Sequence, residues 1–223
     1  MKVVLAVFAA ILAVASAAEE CYTDVVETCN NPSLKQEGVL TKCDAQYGGI
    51  VSAESDLQKL ANSLIHRSFD FLLMATHYGN YIKNRPGFEK LFRGLSDDLW
   101  EDGIESVKYI TSRGGQMNFK NVHESLAADA GSLELYELHS MSKALDIEKS
   151  LAKQVFDLHK ETANHRVDHY DPEIGHHLEE KFMGKQKETI RKLAGHAKDL
   201  GNLLNEERDP SLALYLFDQY LQK

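Results

Sequence analysis

The stretch Leu95-Ser-Asp-Asp-Leu-Trp-Glu-Asp-Gly-Ile-Glu-Ser-Val-Lys-Tyr-Ile-Thr-Ser-Arg-Gly-Gly115 decides how the chain is read. Phe88, Phe92, Leu95 and Leu99 run an apolar stripe into it at helical spacing. Pro86 stands ahead of the stripe, where a first-turn proline is tolerated, and Gly114-Gly115 stops it. A helix over 86–112 is therefore expected. Asp97, Asp98, Glu101, Asp102 and Glu105 sit on or beside the stripe. This helix does metal chemistry, collects cations on one flank, or is a solvated acidic face, and that choice governs the function.

Working outward, a first helix is expected over 52–82, with Ser52 as its cap and Leu57, Leu60, Leu64, Phe71 and Ala75 on its stripe. Such a rod is roughly 45 Å long, which suits a long bundle. A third helix reads over 133–164, striped by Leu138, Met141, Leu145, Glu148 and Val155. A fourth spans 172–204 through Phe182, Gln186, Leu193 and Leu200, and Pro210–Leu221 is a short fifth. All four prolines fall outside helix interiors, as a residue without an N–H requires. The long connection 113–132 must travel the length of the bundle if the second and third helices are parallel. The expected class is all-α, a four-helix bundle with one long crossover and a short fifth C-terminal helix.

Residues 1–17 read as a secretory signal peptide: Lys2, an apolar run, then Ala15-Ser16-Ala17. That run is too short for a membrane anchor. The formal charge is −9, and losing Lys2 makes it −10. This disfavours nucleic acid and anionic membranes and favours cations. Residues 18–50 form a Cys-bearing extension, expected to be irregular, and 51–223 form the bundle domain. Cys21, Cys29 and Cys43 are odd in number. In an oxidising compartment one disulfide leaves one thiol for another chain, and the spacing leaves the pairing open. No Cys/His spacing supports zinc.

Glu148 and Gln186 break apolar stripes. A core-facing carboxylate needs a partner or a metal. Di-metal oxidase bundles use Glu on two helices and Glu-x-x-His on the others. The first two helices offer Leu64, Phe71, Leu99 and Asp102 here, and no Glu-x-x-His lies on the core stripe. An intact oxidase centre is therefore disfavoured, and Glu148 and Gln186 are expected to satisfy each other or hold water. Asp97, Asp98 and Glu101 share one flank of their helix. His165–His177 is a His/Asp-rich turn, either plainly polar or a metal-binding rim. No nucleophile elbow and no Gly-rich phosphate loop is present.

This helix order resembles the ferritin family, and particular strings strengthen the resemblance over about residues 50–223: Ser112-Arg-Gly-Gly115, Ala144-Leu-Asp-Ile-Glu-Lys149, Asp157-Leu-His-Lys160, Leu200-Gly-Asn-Leu203 and Leu214-Tyr-Leu-Phe-Asp218. The signal peptide and Cys-bearing extension resemble the secreted ferritins of insects, whose shells mix two subunit types. Catalytic ferritin chains hold iron with Glu, Tyr, Glu, His, Glu and Gln. The matching positions here are Leu64, Phe71, Leu99, Asp102, Glu148 and Gln186. The resemblance therefore implies a light-chain-like, non-oxidising subunit of a 24-subunit shell with heavy-chain partners and an Fe(III) mineral core. It also implies that Asp97, Asp98 and Glu101 nucleate mineral. His176 and Glu179 fall where the family lines its three-fold channels. The rival reading is a secreted helical-bundle signalling protein of the cytokine type, which would have two long crossovers.

Overall fold

The structure, a computed structural model, describes residues 21–30, 40, 43–119, 135–164, 170–206 and 209–223. The chain divides into two compact units, 1–45 and 46–223. In the first unit, α1 spans Cys21–Asn30. This corrects the expectation of irregular structure, and Asp24 in its first turn suits the positive end of a helix dipole. A disulfide joins Cys21 to Cys43. The Cys29 side chain lies outside the described residues.

In the second unit, α2 runs Ile50–Gly79, α3 Pro86–Ser112 and α4 Glu137–Thr162. A short α5, Pro172–Leu178, passes through a π-helical segment, Glu179–Met183, into α6, Gly184–Glu206. The last helix, α7, is Pro210–Leu221. Several boundaries depart from the sequence expectation, among them those of α4, which spans Glu137–Thr162 against the expected 133–164. Ser52 is not the cap of α2, because the helix starts two residues earlier; its N–H donates to the Gly49 carbonyl inside the first turn. At the other end Asn80 stops α2 three residues early. Its side-chain oxygen accepts from the N–H of Ile82 and Lys83, offering the backbone a turn in place of another helical turn. The quoted stretch ends as read: Gly114 takes φ 79°, and the Gly115 N–H donates back to the Ile110 carbonyl at 2.9 Å.

Helix direction follows from contacts at the ends. Tyr78, at the end of α2, meets Phe88, at the start of α3, with ring centroids 5.2 Å apart. The Tyr78 hydroxyl also donates to Ser140 Oγ, at the start of α4, at 2.8 Å. So α3 and α4 begin at the same end and run parallel. Helices α2 and α3 pack along each other, as do α4 and α6, while α7 sits against α3 and α6. Gly87 permits that last contact: a Cβ there would lie 2.0 Å from the Asp218 carbonyl oxygen. The Asp218 carboxylate accepts from the N–H of Gly87 and Phe88, satisfying donors that the start of α3 leaves open.

The core is aromatic at this shared end. Phe71, Tyr78, Phe88 and Phe92 are wholly buried, each stabilising the fold by roughly 1.5–3 kcal/mol relative to exposure. Nearer mid-bundle, Gly103 lets α3 approach α2 closely, since a Cβ would lie 2.8 Å from Ile65 Cγ1. This close approach sets the spacing around its neighbour Asp102.

Candidate iron-handling site

Helices α2, α3, α4 and α6 bring the candidate oxidase positions into the bundle. Leu64 and Phe71 on α2 are fully buried, and Leu99 on α3 is nearly so. None of the three has an oxygen or nitrogen in its side chain to offer a cation. Glu148 on α4 and Gln186 on α6 are buried as well. They border a cavity of about 10 Å³ together with Leu99, Asp102 and Lys185. That volume is at the lower limit for a single water molecule.

Lys185 supplies what the sequence reading missed. Its ammonium donates to both carboxylate oxygens of Asp102, at 3.0 Å each, and lies 3.8 Å from Asp98. A cation is therefore built into the protein beside the candidate position Asp102. The signal was available: Lys185 adjoins the stripe residue Gln186, and α6 faces a Trp-Glu-Asp segment across the groove. It was overlooked because a lysine beside an apolar stripe ordinarily reaches solvent.

No hydrogen bond joins Glu148 to Gln186, so of the two expected arrangements, mutual satisfaction or a held water, the first is not the one adopted. The electrostatics of Glu148 come from elsewhere. Burial pushes its pKa up to about 7, the carboxylates of Asp102 and Asp98 push the same way, and Lys185 opposes them. Burial likewise raises Asp102 above the usual carboxylate range, held back by Lys185. Among the described residues, no group of three or more His, Cys, Asp or Glu side chains is arranged to hold a metal ion.

Asp97, Asp98 and Glu101 are all exposed on α3. They do not form one undivided patch. Asp98 faces Lys185, and two turns on, Glu105 faces Lys181 at 3.6 Å. Asp97 and Glu101 make no ion pair among the described residues. An acidic edge on α3 thus runs beside a basic edge on α6.

His176 and Glu179 are not brought together. His176 Nε2 lies 3.8 Å from Glu180, and Glu179 pairs with His159 Nε2 at 2.7 Å. Residues 165–169 of the His/Asp-rich turn lie outside the described residues. The rest of that turn is structural. Asp171 caps α5 by accepting from the N–H of Glu173 and Ile174, and it also accepts from the Gly49 N–H at 2.9 Å. Buried Arg113 donates to Asp171 at 2.8 Å and to Glu173, and its guanidinium stacks on Tyr47 at 4.0 Å. His177 lies flat on Tyr109, 3.8 Å between ring centroids, and burial holds its pKa below the usual histidine range. Sequence reasoning missed Arg113 as the organiser of this end, having read Ser112-Arg-Gly-Gly115 only as a helix terminus.

No family model matches the chain. Individual proteins do. The chain is 44% identical to the ferritin light chain of Drosophila melanogaster over 227 residues, covering 99% of this chain and 98% of that one. It is 39% identical to the ferritin light chain of Trichoplusia ni over 232 residues, covering 100% and 99%. The crystal structure of Trichoplusia ni secreted ferritin superposes with a TM-score of 0.82 at 39% identity, covering 92% of this chain and 99% of that one. Identity at this level along the whole chain, with the same helical arrangement, shows that the chain belongs to the ferritin family as a light-chain-like member.

Proposed function

We propose that this chain is the non-oxidising, light-chain subunit of a secreted iron-storage ferritin. The observation that carries the reading is the Lys185–Asp102 pair at the position of the oxidase site. Four of the six iron-holding side chains are replaced by Leu64, Phe71, Leu99 and Asp102. An ammonium next to Asp102 repels an incoming Fe(II), and a cavity of about 10 Å³ leaves no space for two hydrated ions. Glu148 and Gln186 are what remains of the ligand set.

Iron is then cargo, handled at the surface. Asp97, Asp98 and Glu101 offer hard oxygen donors suited to Fe(III), and Asp97 and Glu101 carry the larger share because Lys185 competes for Asp98. Heavy-chain-like subunits in a 24-subunit shell oxidise the iron, and this chain nucleates mineral and completes the assembly. Residues 1–17 direct secretion, in keeping with the secreted relative, and 18–50 follow as the Cys-bearing extension. The Cys21–Cys43 disulfide leaves Cys29 as the residue that links to a partner chain. His176 and Glu179 flank a three-fold channel, with Glu179 engaged by His159. The signalling-protein alternative loses its ground, because the full-length relatives are ferritin chains.

The test is Fe(II) oxidation by the purified full chain, alone and co-assembled with a ferritin heavy chain. Alone it oxidises no faster than buffer; co-assembled, it increases mineral formed per unit of oxidase activity. Replacing Asp97 and Glu101 with Asn and Gln abolishes that increase. Catalytic turnover by the chain alone overturns the reading.

A further inference from the structure

A second cavity, about 370 Å³, lies between α3, α6 and α7. This is within the range of small-molecule pockets, roughly 300–1,000 Å³. Its apolar surface comes from Leu91, Leu95, Leu193 and Leu221. Lys90, whose ammonium donates to the Gln222 carbonyl at 2.7 Å, Lys192 and Lys223 also line it, against one side-chain carboxylate, Asp98, which already faces Lys185. In a chain of net charge −9, this is a local reversal of sign.

Two further observations single it out. His196 lines the cavity and is 8% exposed, and its buried Nε2 has no hydrogen-bond partner. An unpaired buried polar atom is uncommon and costly. Gly94 also lines the cavity, in the middle of α3. Glycine there costs the helix about 1 kcal/mol relative to alanine. Elsewhere on α3, Gly87 and Gly103 are required by close neighbours, but a Cβ on Gly94 would meet nothing within 4 Å. No packing demands a glycine at this position, as none does at Gly184, Gly195 or Gly201, but of these four Gly94 is the one that lines the cavity. A larger cavity, about 500 Å³, between α2 and α4 lacks these features: Asp56, Asp157 and Glu161 line it, and its Lys59 is paired with Asp56 at 2.7 Å.

We infer that the α3–α6–α7 cavity is a binding site for a small amphipathic anion, one with an apolar body and a carboxylate head. The leucines take the body, and Lys90 and Lys192 take the head.

The experiment is calorimetric titration of the purified full chain with sodium octanoate. Octanoate binds saturably, one per chain, and n-octanol and inorganic phosphate each bind at least about ten-fold more weakly, because each supplies only half of the recognition. Gly94→Leu fills the cavity and abolishes binding, while Gly94→Ala, adding one methyl in open space, retains it. Lys90→Glu with Lys192→Glu, both exposed, weakens binding at least about ten-fold. The double variant decides the matter should Gly94→Leu fail to fold. Absence of saturable octanoate binding, binding unchanged in the double variant, or phosphate binding as tight as octanoate overturns the inference.

Discussion

Lys185 Nζ sits 3.0 Å from each carboxylate oxygen of Asp102, so one side chain of α6 neutralises the residue of α3 nearest to buried Glu148 in charge effect. The pair is half in solvent, with Lys185 39% and Asp102 19% exposed. Lys185→Ala therefore costs little, about 1 kcal/mol or less after solvent screening. The loss is read as a lower melting temperature, and it shrinks as pH falls and Asp102, whose pKa burial raises, takes up a proton.

Glu148 makes stability fall as pH rises. Its folded pKa, about 7, lies above its unfolded value near 4.5. Between these values the folded chain holds more protons than the unfolded one, so stability is greatest below the unfolded value and is lost as pH climbs through 7. Glu148→Gln removes this slope and stabilises the chain at pH 8 by roughly 2–3 kcal/mol. Urea denaturation at pH 5 and pH 8 measures it, and equal effects at both pH values would contradict the assignment.

Restoring the oxidase ligands alone is not enough. Leu64→Glu, Phe71→Tyr, Leu99→Glu and Asp102→His rebuild the set around Glu148 and Gln186, but the Lys185 ammonium remains. Adding Lys185→Ala to those four raises the initial Fe(II) oxidation rate at least about ten-fold over the four without it, a difference of about 1.4 kcal/mol in barrier. Oxygen uptake reports the rate, and equal rates would show that Lys185 does not guard the site.

Arg113 anchors the opposite end of the bundle, bridging Asp171, Glu173 and the Tyr47 ring. Arg113→Met strands a buried Asp171 that also holds the Gly49 N–H and caps α5. Breaking such a pair costs about 3–5 kcal/mol. Arg113→Lys recovers only part, lacking the planar fork that reaches two acids and stacks on a ring. Denaturant midpoints of the two variants give the comparison.

Cys29 is the thiol left over from the Cys21–Cys43 bridge. In non-reducing electrophoresis of the co-expressed complex, Cys29→Ser abolishes the disulfide-linked band between chains. Cys43→Ser instead disturbs the internal bridge. Persistence of the band in Cys29→Ser excludes Cys29 as the link.

Read against the structure, the sequence by itself determined the helices that periodicity and punctuation define. Pro86, Gly114 and Pro210 marked ends that the structure reproduces, because a missing N–H and a positive φ are local constraints that no partner can remove. It also put hydrocarbon side chains at Leu64, Phe71 and Leu99, which cannot ligate iron in any fold. Asn80, by contrast, ended α2 with a side-chain turn that apolar periodicity does not register. Only the tertiary structure decided what Asp102 and Glu148 face. Lys185 is 83 residues from Asp102 in the chain, and whether a lysine at a helix edge reaches solvent or bends across a groove depends on how closely α3 and α6 pack. The same holds for Arg113, whose partners lie about sixty residues away, and for Gly94, whose empty surroundings exist only once α6 and α7 are in place.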